Sequence, residues 1–210
     1  MHCKLCNSNS VSFFFQDPPR SYVHCSSCDL IFTAPDSHLT PQQERARYEM
    51  HDNTESNTGY VKYLESVANI ADSVTPSDGL ILDFGCGKNA VLVKTLRRLG
   101  RLCDCWDPLF NYRIDFTDKH YDTIILCEVI EHLRELQTEI HLVRRLLNPH
   151  AYIIIRTQLY SSLDSFPRWW YRQDSTHINF FSNTTMSFLA TVLGMHCTNT
   201  DYNDIFIFNS

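Results

Sequence analysis

The period of the apolar residues changes along the chain, and the change locates its parts. From residue 80 onward, short apolar runs alternate with segments of helical spacing, the pattern of a mostly parallel sheet covered on both faces. Strands are expected near 80–84, 102–106, 122–127 and 151–156. Helices fit 90–99, ended by Gly100, and 131–147, ended by Asn148-Pro149. A last helix at 184–193 stops at Gly194, and two strand-like runs, 195–200 and 204–208, follow it. Between Asp107 and Tyr121 there is room for a loop but not for a helix and another strand, so the sheet is expected to be trimmed by one unit.

Ahead of residue 80 the pattern differs. Thr40-Pro41-Gln42-Gln43 combines an N-cap hydroxyl, a first-turn proline and a glutamine at the capping-box position, which opens a helix. A second helix over 60–74 carries Tyr60, Tyr63, Leu64, Val67, Ile70, Ala71 and Val74 at helical spacing. The first 34 residues are β-rich and hold two Cys-x-x-Cys pairs, Cys3/Cys6 and Cys25/Cys28, separated by an 18-residue spacer. That spacing is expected to bind one tetrahedral, structural Zn2+ with no open position. The resulting division is a zinc ribbon at 1–36, a helical cap at 37–78 and an α/β domain at 79–210.

The 210 residues, 43% hydrophobic and 12% aromatic, suffice for one α/β core with a small appendage. Nine cysteines, an odd number with four of them in the Cys-x-x-Cys pairs, point to a reducing compartment and a metal site, not to a disulfide framework. No apolar run approaches the roughly 18 residues of a membrane helix, and MHCKLCNSNS lacks the basic-then-apolar layout of a signal peptide, so a cytoplasmic protein is expected. A formal charge of −6 disfavours RNA as a partner and favours a small-molecule substrate. Nothing in the pattern fixes the oligomeric state.

Candidate chemistry begins at Leu80–Gly87, LILDFGCG. Gly85-Cys86-Gly87 allows a sharp turn after a strand and brings backbone amides close to a ligand. Dinucleotide-binding proteins share the device, and Gly85-x-Gly87-x-x-Ala90 passes as their fingerprint. Asp83 shifts the balance, because a carboxylate there suits a cationic amine better than a pyrophosphate. S-adenosylmethionine has such an amine and no phosphate. Asp107, about twenty residues on, is placed to accept from ribose hydroxyls, with Pro108, Leu109 and Phe110 walling an adenine. Cys127 and Glu128, at the end of the 122–127 run, would border the methionine end. Glu128, Glu131 and His132 stand at i, i+3 and i+4, one face of the helix expected there, and with His177 could hold a divalent ion such as Mg2+. Without an ion, His132 or His177 is the candidate general base. Trp169, Trp170 and Arg172, after the 151–156 run, are expected to form a substrate lip. Tyr48 and His51 join it from the cap, with Asn53 and Tyr60 as further lid contacts.

LDFGCG, WDP at 106–108, CEVIEHL at 127–133 and THINFFS at 176–182 together resemble class I S-adenosylmethionine-dependent methyltransferases, specifically the ubiquinone O-methyltransferase-like branch, over about residues 40–210. The resemblance implies an α/β, Rossmann-like sheet of seven strands with the last antiparallel and inserted between the fifth and sixth; the terminal strand pair would supply that hairpin. Two departures stand out: Asn89 occupies the place of a frequent third glycine, and only Asp115 remains to replace a missing acidic adenine contact. Small-RNA 2′-O-methyltransferases carry a similar E-x-x-E-H motif with a distant histidine that binds a metal, and Glu128, Glu131, His132 and His177 match it. Four-cysteine modules precede the methyltransferase domain in some sugar C-methyltransferases. The expected function is methylation of a small molecule, most readily on oxygen. Three alternatives are an RNA methyltransferase that uses the ribbon, an NAD-linked oxidoreductase and a non-catalytic adaptor.

Overall fold

A computed structural model describes residues 1–110, 112–116 and 119–210. The α/β region forms a six-stranded sheet from β4 (Leu80–Phe84), β5 (Leu102–Trp106), β6 (Tyr121–Cys127), β7 (Leu147–Arg156), β9 (His196–Asn199) and β10 (Ile205–Asn209), in the order β5-β4-β6-β7-β10-β9. The first four run parallel, and β10 pairs antiparallel with both β7 and β9. This is a Rossmann-like sheet with an inserted antiparallel strand, as the resemblance implies. Among the described residues β5 is an outer edge, and the segment after it makes only a bridge between Asp107 and Tyr112, so the sheet is shortened where the sequence had no room for a further unit.

Alternation sends neighbouring residues to opposite faces of the central strands. Ile81, Ile125 and Ile154 pack under α2 (Thr58–Val74) and α3 (Val91–Arg98). Leu82, Ile124, Ile153 and Ile155 pack under α4 (Leu136–Arg145) and α5 (Asn183–Leu193), whose end is the left-handed Gly194. The cap helix α1 (Pro41–Glu49) starts at the expected capping box: Gln43 N–H donates to Thr40 Oγ1 at 3.3 Å, and Thr40 N–H donates to Gln43 Oε1 at 2.9 Å. Among the described residues no helix is long and apolar enough to cross a membrane.

The helix expected over 131–147 is not continuous. A single 3-10 turn, Ile130–His132, precedes α4, and Asn148-Pro149 lies inside β7, where His150 takes a left-handed φ of 61°. Two hydrogen bonds from a distant segment to its carbonyls hold that turn away from α4: Ile178 N–H donates to Glu131 O at 2.8 Å, and the Asn179 side chain donates to Leu133 O at 2.7 Å.

The N-terminal cysteines lie in two similar knuckles, each closed by a left-handed residue, Asn7 after Cys6 and Asp29 after Cys28. All four sulfurs lie within 4.8 Å of one another, with Cys3–Cys28 and Cys6–Cys25 at 3.5 Å. A disulfide needs about 2.05 Å. The observed spacing instead resembles the edge of a tetrahedron around an ion about 2.3 Å from each sulfur. A second sheet, β1 (Val11–Asp17), β2 (Arg20–Cys25) and β3 (Ile31–Thr33), takes a fourth strand from far along the chain, β8 (Asn179–Phe180). Cys3, Leu5, Cys25, Cys28, Leu30 and Phe32 belong to the same apolar cluster as Leu126, Leu136 and Phe181. A second cluster buries Tyr22 and Ile31 with Tyr160, Phe166, Tyr171 and Phe180. The ribbon aromatics Phe14, Phe15 and Tyr22 are therefore packed against the 160–181 region, whereas Phe13 is exposed.

Candidate active site

One cavity of 460 Å³ opens at the carboxyl ends of β4, β5 and β6. Gly85, Cys86 and Gly87 form one wall, Asp107, Pro108, Leu109 and Phe110 a second, and Tyr48, His51, Asn53, Tyr60 and Tyr63 of the cap a third. Cys127, Glu128, His132 and His177 close the far side. Asp83 is buried below the loop and does not line the cavity.

The glycine loop turns where only glycine fits without strain. At Gly85, φ is +89°, and a Cβ would come 2.5 Å from Val129 Cγ2; at Gly87, φ is +67° and a Cβ would meet no atom within 4 Å. Gly85→Ala is expected to cost about 2–4 kcal/mol, from overpacking plus the left-handed backbone. Gly87→Ala carries the backbone cost alone, about 1–2 kcal/mol. Urea denaturation of the two variants checks the order, and equal losses would contradict it.

Asp107 ties this loop to its neighbour. Its Oδ2 accepts from Gly87 N–H at 2.9 Å, and its Oδ1 accepts from Leu109 N–H at 2.9 Å and Phe110 N–H at 3.3 Å. An ionised carboxylate has about four acceptor positions, so about one remains for a ligand hydroxyl. Arg45 of α1 stacks over the Phe110 ring at 5.7 Å. Asn89, in place of a third glycine, donates to Asn53 O at 2.8 Å, and Glu55 pairs with Lys94 and Arg98. These contacts pin the cap loop to α3.

Electrostatics at this end are one-sided. Burial, with the Asp107 charge adding to it, lifts Asp83 to about 7, and burial also raises Asp107. Among the described residues Arg134 is the sole Lys or Arg lining the cavity, and its guanidinium is engaged by Glu44 and Leu39 O. Burial lowers His51, His132 and His177, so none supplies a cation at neutral pH. Asp107 in this wall, with Arg134 already engaged, fits a cationic ligand and opposes a pyrophosphate.

At the other end the chain brings together Glu131, His132 and His177, with one ligand atom from each inside a 4.8 Å cluster. The histidines are oriented by backbone: His132 Nδ1–H donates to Thr176 O at 2.9 Å, and His177 Nδ1–H donates to Tyr171 O at 2.7 Å. A carbonyl only accepts, so both Nδ1 atoms carry hydrogen and both Nε2 lone pairs are free. Glu128 stands apart. Its left-handed backbone (φ 55°) takes it off the 3-10 turn, which corrects the single helical face expected for Glu128, Glu131 and His132. Tyr63 donates to its Oε1 at 2.7 Å, and the Tyr171 hydroxyl bridges its Oε2, at 3.0 Å, to Glu131 Oε1, at 2.7 Å. Thr157 donates to Glu131 Oε2 at 3.0 Å. Burial lifts both Glu128 and Glu131 to about 7.

A model of a methyltransferase domain matches residues 56–195. The chain belongs to this methyltransferase family. No curated protein sequence matches it significantly. Among solved structures, the methyltransferase fold recurs in DesVI of Streptomyces venezuelae, with a TM-score of 0.54, 10% identity, and coverage of 81% of this chain and 98% of that one. The magnesium protoporphyrin IX methyltransferase of Synechocystis, with bound SAH, gives 0.51 at 18% identity over 83% and 95% of the two chains. An O-methyltransferase family protein from Burkholderia thailandensis gives 0.52 at 13% identity; 79% of this chain is covered, but only 61% of that longer protein.

Within the methyltransferase site, the lip expected from Trp169, Trp170 and Arg172 does not form. Trp169 packs with Tyr160, Phe166 and Phe180, Trp170 is 65% exposed, and none of the three lines the cavity. Arg172 is spent on Asp17 at 2.6 Å and on Pro167 O. Between them sits Tyr171, which sequence reasoning passed over and which reaches both glutamates. Tyr63 is the other missed hydroxyl. Its helical spacing marked it as core, and nothing in the pattern reveals that its oxygen ends on Glu128.

Proposed function

We propose that this methyltransferase moves a methyl group from S-adenosylmethionine to an oxygen of a small molecule, assisted by a divalent ion held by Glu131, His132 and His177. The observation that carries the reading is one cavity with the glycine loop and Asp107 at one end and His132, His177 and Glu128 at the other, with Glu131 buried behind the two histidines. S-adenosylmethionine, when bound, supplies a methyl group on a sulfonium and leaves as S-adenosylhomocysteine. Asp107 would receive a ribose hydroxyl, Pro108, Leu109 and Phe110 the adenine, and Glu128 with the Cys127 backbone the amine end. Gly87 leaves open the space that a Cβ would fill.

The donor set also bears on the metal. Two imidazole nitrogens and one carboxylate suit Mn2+, Fe2+, Co2+ or Zn2+, whereas Mg2+ prefers oxygen throughout, so the magnesium expected from the carboxylates gives way to a transition ion. Such an ion, when bound, lowers the pKa of a coordinated hydroxyl. Thr176 and Tyr171 carbonyls hold the two imidazoles in the ligating tautomer, and Tyr171 and Thr157 hold Glu131. The cap residues Tyr48, His51 and Tyr60 exclude water from the space between the two ends, where positioning contributes much of the rate. The four cysteines are proposed to hold a separate structural zinc.

Methyl-labelled S-adenosylmethionine incubated with the protein and a cell extract tests the reading. Label is expected in the low-mass fraction, and Glu131→Gln is expected to lower its rate about ten- to a hundredfold while binding of S-adenosylhomocysteine persists. Label recovered only in RNA would instead support the nucleic-acid alternative.

A further inference from the structure

Arg20, on the first residue of β2 in the ribbon, reaches across to the 171–177 segment of the α/β region. Its Nη1 donates to Arg172 O at 2.6 Å and to Asp174 O at 3.0 Å, and its Nη2 donates to His177 O. The guanidinium lies over the Tyr22 ring at 5.2 Å and the Phe180 ring at 6.0 Å. The contact is reciprocal: Arg172 returns to Asp17, the residue opposite Arg20 in the β1–β2 hairpin. One cation therefore gathers three carbonyls of a segment that is otherwise irregular apart from a 3-10 turn over Trp170–Gln173.

That segment is the hub of the histidine and carboxylate cluster. His177 belongs to it, Tyr171 O orients His177, Thr176 O orients His132, and the Tyr171 hydroxyl orients Glu131. Each member of the cluster thus belongs to, or takes an orienting bond from, the 171–177 segment that Arg20 pins at Arg172, Asp174 and His177. We infer that Arg20 is a positioning residue for the metal-assisted site, and that the ribbon is a buttress for that site. The inference rests on the proposed ion at Glu131, His132 and His177. Loss of partners that orient metal ligands typically weakens an ion about ten- to a hundredfold. A flexible lysine cannot reproduce the planar fork over three carbonyls, so Arg20→Lys should fall between wild type and Arg20→Met.

The test uses the full chain with its ribbon zinc-loaded. Mn2+ is titrated into wild type, Arg20→Met and Arg20→Lys and followed by electron paramagnetic resonance, while amide exchange of residues 171–178 is measured without manganese. The expected result for Arg20→Met is Mn2+ affinity about ten- to a hundredfold weaker, faster exchange over 171–178 and unchanged zinc content. If wild type takes up no Mn2+, the metal reading falls and the inference with it; if wild type binds Mn2+ and Arg20→Met binds it equally well, the inference alone falls, whatever the exchange rates. Should Arg20→Met fail to fold, Arg20→Lys carries the same comparison.

Discussion

Asp107→Ala is expected to abolish measurable binding of S-adenosylhomocysteine while the protein still folds. The Asp107 carboxylate accepts from three backbone amides and joins Gly87 to the Leu109 and Phe110 turn. Its removal frees the glycine loop from the proposed adenine wall and deletes the acceptor for a ribose hydroxyl. A hydrogen bond to a charged group contributes about 1.5–3 kcal/mol, so the lost ribose contact together with a loosened loop should reduce affinity by at least about a hundredfold. The cost to folding is smaller, about 2 kcal/mol, because the freed amides face a water-accessible cavity. Calorimetric titration gives the affinity and urea denaturation the stability. Wild-type affinity in the variant would remove Asp107 from the site.

Loss of the zinc proposed for Cys3, Cys6, Cys25 and Cys28 is expected to have the second large effect. Cys28→Ser, or treatment with a strong chelator, is expected to disrupt the whole protein and not only its first 36 residues. The physical reason is continuity: Cys3, Cys25 and Cys28 share an apolar cluster with β6, α4 and α5, and β3 is hydrogen-bonded to β8. Structural zinc contributes roughly 10–16 kcal/mol in isolated fingers, as much as the entire stability of a typical domain, about 5–15 kcal/mol. Even a quarter of that would lower the melting temperature by about 10 °C in a chain of this size. Calorimetric melting with zinc analysis checks this. An unchanged main transition after zinc loss would show the ribbon to be an independent appendage.

Much of the fold was legible because buried parallel strands write themselves as short apolar runs, and because Thr40, Gly100 and Gly194 are local stop and start signals. Among the described residues the sheet ends at β5, in keeping with the short space between Asp107 and Tyr121. Failures occurred where distant contacts decide local shape. Glu128 to His132 has helical spacing, yet bonds from the Ile178 backbone and the Asn179 side chain hold residues 130–133 in one turn, and Glu128 adopts a left-handed conformation. Glu131, His132 and His177 still converge, through that turn and not through a helix face. In the run FPRWWYR the aromatic pattern carries no sign of which ring faces inward. Tyr171, between Trp170 and Arg172, is the ring whose hydroxyl reaches the glutamates. Arg20 was invisible for the same reason, since its partners lie about 150 residues away and are backbone carbonyls.

The most direct measurement is a calorimetric titration of S-adenosylhomocysteine into the zinc-loaded wild-type protein. The geometry of the glycine loop, Asp107 and the cap predicts one site per chain with micromolar affinity, unaffected by NAD at the same concentration. No heat of binding, or displacement by NAD, would contradict the assignment of this cavity to S-adenosylmethionine.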